Sequence, residues 1–265
     1  MKLADALAAI EPLVGRPFGD LVDAGLLPDL HTNKGHVGQV LEGILGLRLN
    51  SRHLDFEDGE LKTNKVQLSG KPIETVAIMQ LSNQIDDVLA RRPFRHVDLC
   101  RKVENLLYVP VFREGSERHW MFLPPIHIDM RTPKYAFMIE LLEQDYLAIS
   151  RELRSQVESS PTGQIHTSSG QYMQVRAKDS RPYHPIFSTT YGRYVSNKNY
   201  AFYFKKDFAK YLQTLSPHYP FDPQRYERRW QLEAWMSQRE PPRPLLHLAL
   251  TCDSRGEQRP TGQPP

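Results

Sequence analysis

The sequence is poor in the features that usually classify a chain quickly. It has two cysteines in 265 residues, Cys100 and Cys252. They lie far apart, so they offer neither a disulfide framework nor a zinc-ligand spacing. No stretch approaches the roughly 18 consecutive apolar residues of a membrane span. The N-terminal apolar stretch is interrupted by Asp5 and Glu11, which makes a poor signal peptide, so the expectation is a cytoplasmic protein without a membrane. Net charge is low, at +3, which permits a nucleic-acid partner without arguing for one. Internal repeats, a recognisable RNA-binding module and a regular strand–helix–strand alternation are also missing.

What is present is ordinary globular material. Apolar residues make up 40% and charged residues 25%, which excludes wholesale disorder. Composition shifts near residue 216. Beyond it come Pro217, Pro220, Pro223, Pro241, Pro242, Pro244, Pro260, Pro264 and Pro265. Proline fixes φ and removes a donor, so this stretch cannot be continuous helix or sheet. We therefore expect a domain over residues 1–215 and an appendage over 216–265. The appendage has one helical island at 223–239 and a disordered end.

Within the domain the hydrophobic period keeps changing. Val37, Val40, Leu41, Ile44 and Leu45 recur at helical spacing. Residues 53–66 read as two extended segments turning at Asp58-Gly59. Residues 74–81, 106–112 and 119–128 are apolar and β-prone. A long amphipathic helix is predicted over 135–157, with Phe137, Ile139, Leu141, Leu142, Leu147 and Leu153 on or near one side. Residues 171–178 alternate as a half-exposed strand does. Residues 200–204 form another strand, followed by a helix to about Leu215. This mixture predicts an α+β (mixed α/β) fold, a central mixed sheet flanked by helices, with the Pro-rich extension appended.

The sharpest local feature is Asp55-Phe56-Glu57-Asp58-Gly59-Glu60-Leu61-Lys62-Thr63. In a strand Glu60 and Lys62 project together while Leu61 points to the core. Asp55 can fold back across the bend toward the same face. Two converging carboxylates are hard oxygen ligands suited to Mg²⁺. An adjacent ammonium suits phosphodiester hydrolysis, which needs a Lewis acid, a positioned water and positive charge against developing negative charge. On these nine residues alone, a charged exposed hairpin is the commoner outcome.

The surroundings add to this. Asn33-Lys34-Gly35-His36-Val37-Gly38-Gln39-Val40-Leu41-Glu42 resembles the N-terminal helix of the MutH mismatch-repair endonuclease family, whose fold is shared with a group of type II restriction endonucleases. Gly59-Glu60-Leu61-Lys62-Thr63 resembles that family's catalytic strand, and Gly70-Lys71-Pro72-Ile73-Glu74-Thr75 the segment after it. Leu106-Leu107-Tyr108-Val109-Pro110-Val111 resembles a core strand. Gly170-Gln171-Tyr172-Met173-Gln174-Val175-Arg176 resembles a strand with DNA contacts. Phe202-Tyr203-Phe204-Lys205-Lys206-Asp207-Phe208 resembles the last strand and helix. Val14-Gly15-Arg16-Pro17-Phe18-Gly19-Asp20-Leu21 fits the family's opening. These matches stand in order across about 200 residues.

The resemblance implies a restriction-endonuclease-like core and a Mg²⁺-dependent enzyme acting on double-stranded DNA. It makes Asp55, Glu60 and Lys62 the D…ExK triad, with Asp55 and Glu60 on the metal. It makes Glu42 a helix carboxylate approaching the metal and Lys102 a second active-site lysine. Arg176 becomes a base contact in the major groove, Lys178 a phosphate contact, and Tyr203 a methyl sensor beside the target adenine. Lys205 and Lys206 would neutralise phosphates. From the residues alone, Glu42 reads equally well as solvent-facing and Tyr203 equally well as a core aromatic, while Lys102 reads as an exposed helix lysine.

Three departures from the family matter. Asp55 stands closer to Glu60 than the family's spacing leads one to expect, which makes Asp58 a substitute candidate. Residues 179–199 are long and carry Arg181, Tyr183, His184, Tyr191, Arg193, Tyr194 and Lys198 where a base-reading loop would lie. The chain also extends past 215. The last two tilt the expectation toward a type II restriction enzyme that cuts both strands unaided. The alternative is a mismatch-repair nickase that cuts the unmethylated strand at GATC and depends on a matchmaker protein. A DNA-binding module without catalysis is the third reading, disfavoured because the triad is intact.

Overall fold

The computed structural model describes residues 1–25, 27–32, 36–47, 54–178, 182–222 and 224. Arg181, Asn33-Lys34-Gly35 and most of the Pro-rich extension, including the expected helix at 223–239, therefore lie outside the described residues.

The elements follow in chain order. Helices α1 (Leu3–Ile10), α2 (Phe18–Leu21), α3 (Leu27–Thr32) and α4 (His36–Ile44) come first. Strands β1 (Glu60–Val66) and β2 (Val76–Gln80) precede α5 (Ile85–Leu89) and α6 (Asp98–Val103). Then come β3 (Asn105–Phe112), β4 (Met121–Phe122), β5 (Ile126–Asp129) and the long α7 (Ala136–Glu158). The chain continues through β6 (Ser168–Ser169), β7 (Met173–Lys178), β8 (Ile186–Ser188), β9 (Arg193–Ser196), β10 (Asn199–Phe204) and α8 (Lys206–Thr214).

Strand β3 is the centre. It pairs in parallel with β1 and antiparallel with β4 and β5, giving a mixed sheet. A second sheet, antiparallel throughout, has the order β2-β10-β7-β6. Seven of the eight β3 residues are buried, which is why its sequence reads as a continuous apolar run. Alternation still assigns its faces. Leu107, Val109 and Val111 join Val37, Val40 and Leu41 of α4 and the buried faces of α1 and α2 in one core. Leu106 and Tyr108 join α6, α7 and the inner face of the second sheet in the other.

The helix expected at 135–157 is α7, displaced by one residue at each end. Its core face is Met138, Ile139, Leu142, Tyr146, Ile149, Leu153 and Val157. Phe137, expected near that face, is 44% exposed. The extended arm expected before Asp58-Gly59 does not form a strand. Phe56 instead donates its N–H to the Gly59 carbonyl at 2.9 Å, and Leu3 donates to Asp58 Oδ1 at 2.9 Å, so the segment is wedged under α1. The apolar run at 119–128 also breaks into two short strands, β4 and β5, rather than one.

One buried carboxylate ties the long helix to the second sheet. Asp145 of α7 is 5% exposed and accepts the backbone N–H groups of Gln171, Tyr172 and Met173 at 2.7, 2.6 and 2.6 Å. Gly170 lets this loop approach, since a Cβ there would lie 2.3 Å from Asp145 Cγ. Replacing Asp145 with Ala leaves these donors buried and unpaired. We expect Asp145→Ala to lower unfolding free energy by more than about 3 kcal/mol in urea titration. A loss within the range of an ordinary surface substitution would refute this anchoring role.

Candidate active site

Topology explains why distant residues meet. Helix α6 runs directly into β3, and β1 lies parallel to β3 with Glu60 opposite Leu106. The start of β1 is thereby set beside the last turn of α6. Lys102 on that turn places Nζ 2.8 Å from Glu60 Oε1, and Lys62, two residues along the same face of β1, places Nζ 2.5 Å from the same oxygen. Glu60 is 2% exposed. Its Oε2 is buried with no hydrogen-bond partner among the described residues.

Two more acids close around this pair. Asp55 accepts the Leu61 N–H through Oδ2 at 2.9 Å, capping the strand at its first turn. Burial pushes the Asp55 carboxyl above its ordinary range and the Glu60 charge pushes it further, against the pull of Lys62, the Leu61 N–H and Lys102. Glu42 comes from α4, which approaches the edge of β1 at Gly38. A Cβ on Gly38 would sit 3.5 Å from Thr63 Oγ1 and 3.9 Å from Glu42 Oε1. Burial also raises the Glu42 carboxyl, aided by Asp55 and Glu60 and opposed by Lys62. The structure thus brings Glu42, Asp55, Glu60, Lys62 and Lys102 together. Asp58, the substitute candidate, is turned away onto Leu3.

The turn itself is held by residues that the sequence did not single out. Asn105 is 2% exposed, donates through Nδ2 to the Asp58 carbonyl at 2.5 Å, and holds His127 Nε2 against its Oδ1 at 2.8 Å. A Cβ at Gly59 would meet the Asn105 carbonyl at 2.6 Å and Leu3 Cδ1 at 2.7 Å, so only glycine fits this approach. Farther along β1, Asn64 donates to the Tyr108 hydroxyl at 3.1 Å, and Gln213 of α8 donates to the same oxygen at 3.3 Å. Burial pushes that hydroxyl up to about 12. Asn105 and Asn64 sit inside otherwise apolar or charged strands, and that mismatch is the only signal the sequence offered.

The expected DNA contacts divide. Arg176 of β7 and Tyr203 of β10 meet: the guanidinium lies over the Tyr203 ring, 4.5 Å from its centroid, and Nη2 donates to Thr75 Oγ1 at 3.0 Å. Tyr203 is largely buried but lies on the face opposite Phe202 and Phe204, outside their core. Lys178 is half-buried at the end of β7. Lys205 turns inward, with Nζ donating to the Gly170 carbonyl at 3.1 Å, whereas Lys206 is exposed.

Of the long 179–199 segment, the described residues 182–199 contain a hairpin, β8–β9, fixed to the scaffold. Asp86 of α5 accepts from Ser188 Oγ at 2.5 Å and from the hydroxyl and N–H of Thr189. Although burial opposes this, these bonds lower its carboxyl to about 2. Arg193 donates to the carbonyls of Gly163 and Val157 at 2.7 and 2.6 Å, closing the C-terminus of α7. Tyr191 donates its hydroxyl to Glu158 at 2.7 Å. Arg193 and Tyr191 are thus engaged in holding the scaffold, not free for base edges.

Among the described residues no group of three or more His, Cys, Asp or Glu is disposed to hold a metal ion, and no helix is long and apolar enough to cross a membrane. The donor set is nonetheless suited to a hard cation. It has an unsatisfied, buried carboxylate oxygen on Glu60 and two neighbouring carboxyls whose negative charge is incompletely offset.

A mixed sheet whose edge strand presents a Glu-x-Lys pair beside a capping Asp, with helices on both sides, defines the restriction-endonuclease-like class. No family model matches the chain. Among curated relatives, the DNA mismatch repair protein MutH of Haemophilus influenzae strain PittEE is 30% identical over 186 residues, 66% of this chain and 78% of that protein. The protein of the same name from strain PittGG is 28% identical over 215 residues and is matched over 92% of its length. That of Vibrio cholerae is 40% identical over 80 residues, a match that spans only 36% of its length. The chain belongs to the MutH family.

The raised carboxyls make a stability prediction. Above its folded-state pKa, Asp55 must ionise beside Glu60 in a buried position, so the fold is penalised at neutral pH. The penalty is full above that raised value and shrinks as pH falls through it toward the ordinary Asp value. It vanishes once folded and unfolded chains are both protonated, below about pH 4. Asp55→Asn keeps an acceptor for Leu61 and should raise the melting temperature at neutral pH, with a gain that narrows as pH falls through the raised Asp55 value toward the ordinary Asp value of about 4. A gain that is absent, or constant with pH, contradicts this electrostatic account.

Proposed function

We propose that this chain is a metal-dependent endonuclease of DNA mismatch repair, cutting one strand of duplex DNA at a site whose methylation it senses. The observation that carries the reading is the buried Glu60, with two ammonium groups on one oxygen and no partner among the described residues on the other, beside Asp55 and Glu42. Family membership supplies the biological setting. The relatives reported above are all mismatch-repair proteins by name, so they favour repair over the restriction role toward which the sequence tilted. The engagement of Arg193 and Tyr191 in the scaffold also weakens the argument that 179–199 is a new base-reading loop.

Asp55 and Glu60 would hold a Mg²⁺ ion, with remaining positions left to water and the DNA phosphate. Bound there, the ion supplies Lewis acidity and charge stabilisation for phosphodiester hydrolysis. The protein's own groups do the rest. Lys62 donates a hydrogen bond that orients water for attack on phosphorus. Lys102 sets positive charge against the charge that develops on the phosphate. Glu42 adds a third carboxylate from the opposite side of β1. Arg176 faces base edges, Tyr203 lies where an adenine methyl group would be felt, and Lys178, Lys206 and, if it releases Gly170, Lys205 meet phosphates. This reading takes in dependence on a matchmaker protein and GATC as the site, both implied by the resemblance to the MutH family.

Purified protein should nick unmethylated plasmid slowly in Mg²⁺ and leave fully methylated plasmid intact. Rapid production of linear DNA by the protein alone would instead favour restriction. Glu60→Ala and Lys62→Ala should each abolish nicking while largely preserving duplex binding in a gel shift. Cleavage at the wild-type rate by either variant would overturn the site assignment.

A further inference from the structure

Strands β2, β10 and β7 lie side by side, and Arg176 on β7 reaches across β10 to the residue preceding β2. On the way its guanidinium packs over Tyr203 of β10. Two contacts of different kinds therefore restrain one exposed side chain. The ring confines the guanidinium to a position over the aromatic face, 4.5 Å from its centroid. Thr75 Oγ1, accepting from Nη2 at 3.0 Å, restrains its orientation there. Each nitrogen Nη carries two hydrogens, so one bond to Thr75 leaves donors for a partner.

We propose that Thr75 is a positioning residue for sequence recognition. It holds the Arg176 guanidinium in one orientation before DNA arrives. This rests on the reading of Arg176 as a base contact. A free arginine loses side-chain freedom when it is ordered at an interface. A guanidinium already restrained on Tyr203 and Thr75 loses less on binding, and that difference falls on specific contacts alone. Phosphate contacts from Lys178 and Lys206 do not pass through Thr75, so non-specific affinity is independent of it. Thr75 is half-buried, and valine reproduces its shape without the acceptor.

The test uses the full chain and duplexes selected by wild-type protein from a randomised pool, each with a scrambled control. Thr75→Val should weaken binding to the selected duplex about three- to tenfold, the equivalent of one hydrogen bond, and leave the scrambled duplex and the melting temperature unchanged. Thr75→Ser should recover wild-type discrimination. In an Arg176→Ala background, Thr75→Val should have no further effect. Unchanged or tightened specific binding by Thr75→Val, or an equal loss on both duplexes, overturns the proposal while Arg176→Ala still reports on the DNA reading itself. A wild-type protein that selects no motif overturns both.

Discussion

Everything at the candidate site depends on the parallel register of β1 against β3. A slip of one residue would exchange Glu60 with Leu61, burying a carboxylate among the N-terminal helices and turning an apolar side chain toward Lys102. The register is fixed by contacts that leave no freedom at the turn. Asn105 belongs to β3 and holds the Asp58 carbonyl, and Gly59 presses against the Asn105 backbone too closely for a side chain. The two strands are thereby locked at their first residues, where Glu60 must meet Lys102. Farther on, Asn64 and Tyr108 repeat the tie.

The electrostatics of the cluster run against stability. Three carboxylates gather around two ammonium groups in a partly dry setting. Both ammonium groups converge on the same oxygen. A stability-optimised arrangement would divide the lysines between the acids, since a buried carboxylate oxygen without a donor is costly. Asp55 and Glu42, with carboxyls raised by burial and by their neighbours, record the same imbalance. Such arrangements persist where a charge arriving from outside completes them, and local rules of stability fail most often at functional sites. A divalent cation and a phosphate would bring the two opposite charges this cluster is shaped around.

Much of this was legible from the sequence, for identifiable reasons. Glu60 and Lys62 share a strand face because alternation is a short-range rule, and their pairing survived folding. Lys102 and Glu42 were not readable from local pattern, because their place depends on α6 entering β3 and on α4 meeting the edge of β1. The family resemblance supplied them. The extended arm before Asp58 was misread because β-like alternation there is overridden by packing under α1. Phe137 was misread because helical periodicity gives a stripe but not its edges. Arg193 and Tyr191 looked available for DNA only because nothing in the sequence announces that they close the end of α7.

The cluster and the Arg176–Tyr203 face belong to different sheets, and their separation is fixed by a short connection. The chain leaves β1 at Val66, bridges to Pro72, returns an N–H from Ile73 to the Lys65 carbonyl at 3.0 Å, and enters β2 one residue after Thr75. The residue that restrains Arg176 is therefore reached by a direct tether from the strand that bears Glu60 and Lys62. Gln213 of α8 adds a second link, since its bond to the Tyr108 hydroxyl joins the helix following β10 to the centre of the first sheet. A shift of the reading face relative to the acids would have to stretch both connections. Under the proposed function, recognition and hydrolysis would thus share one frame, since the strand bearing Glu60 and Lys62 and the residue restraining Arg176 are joined by this connection.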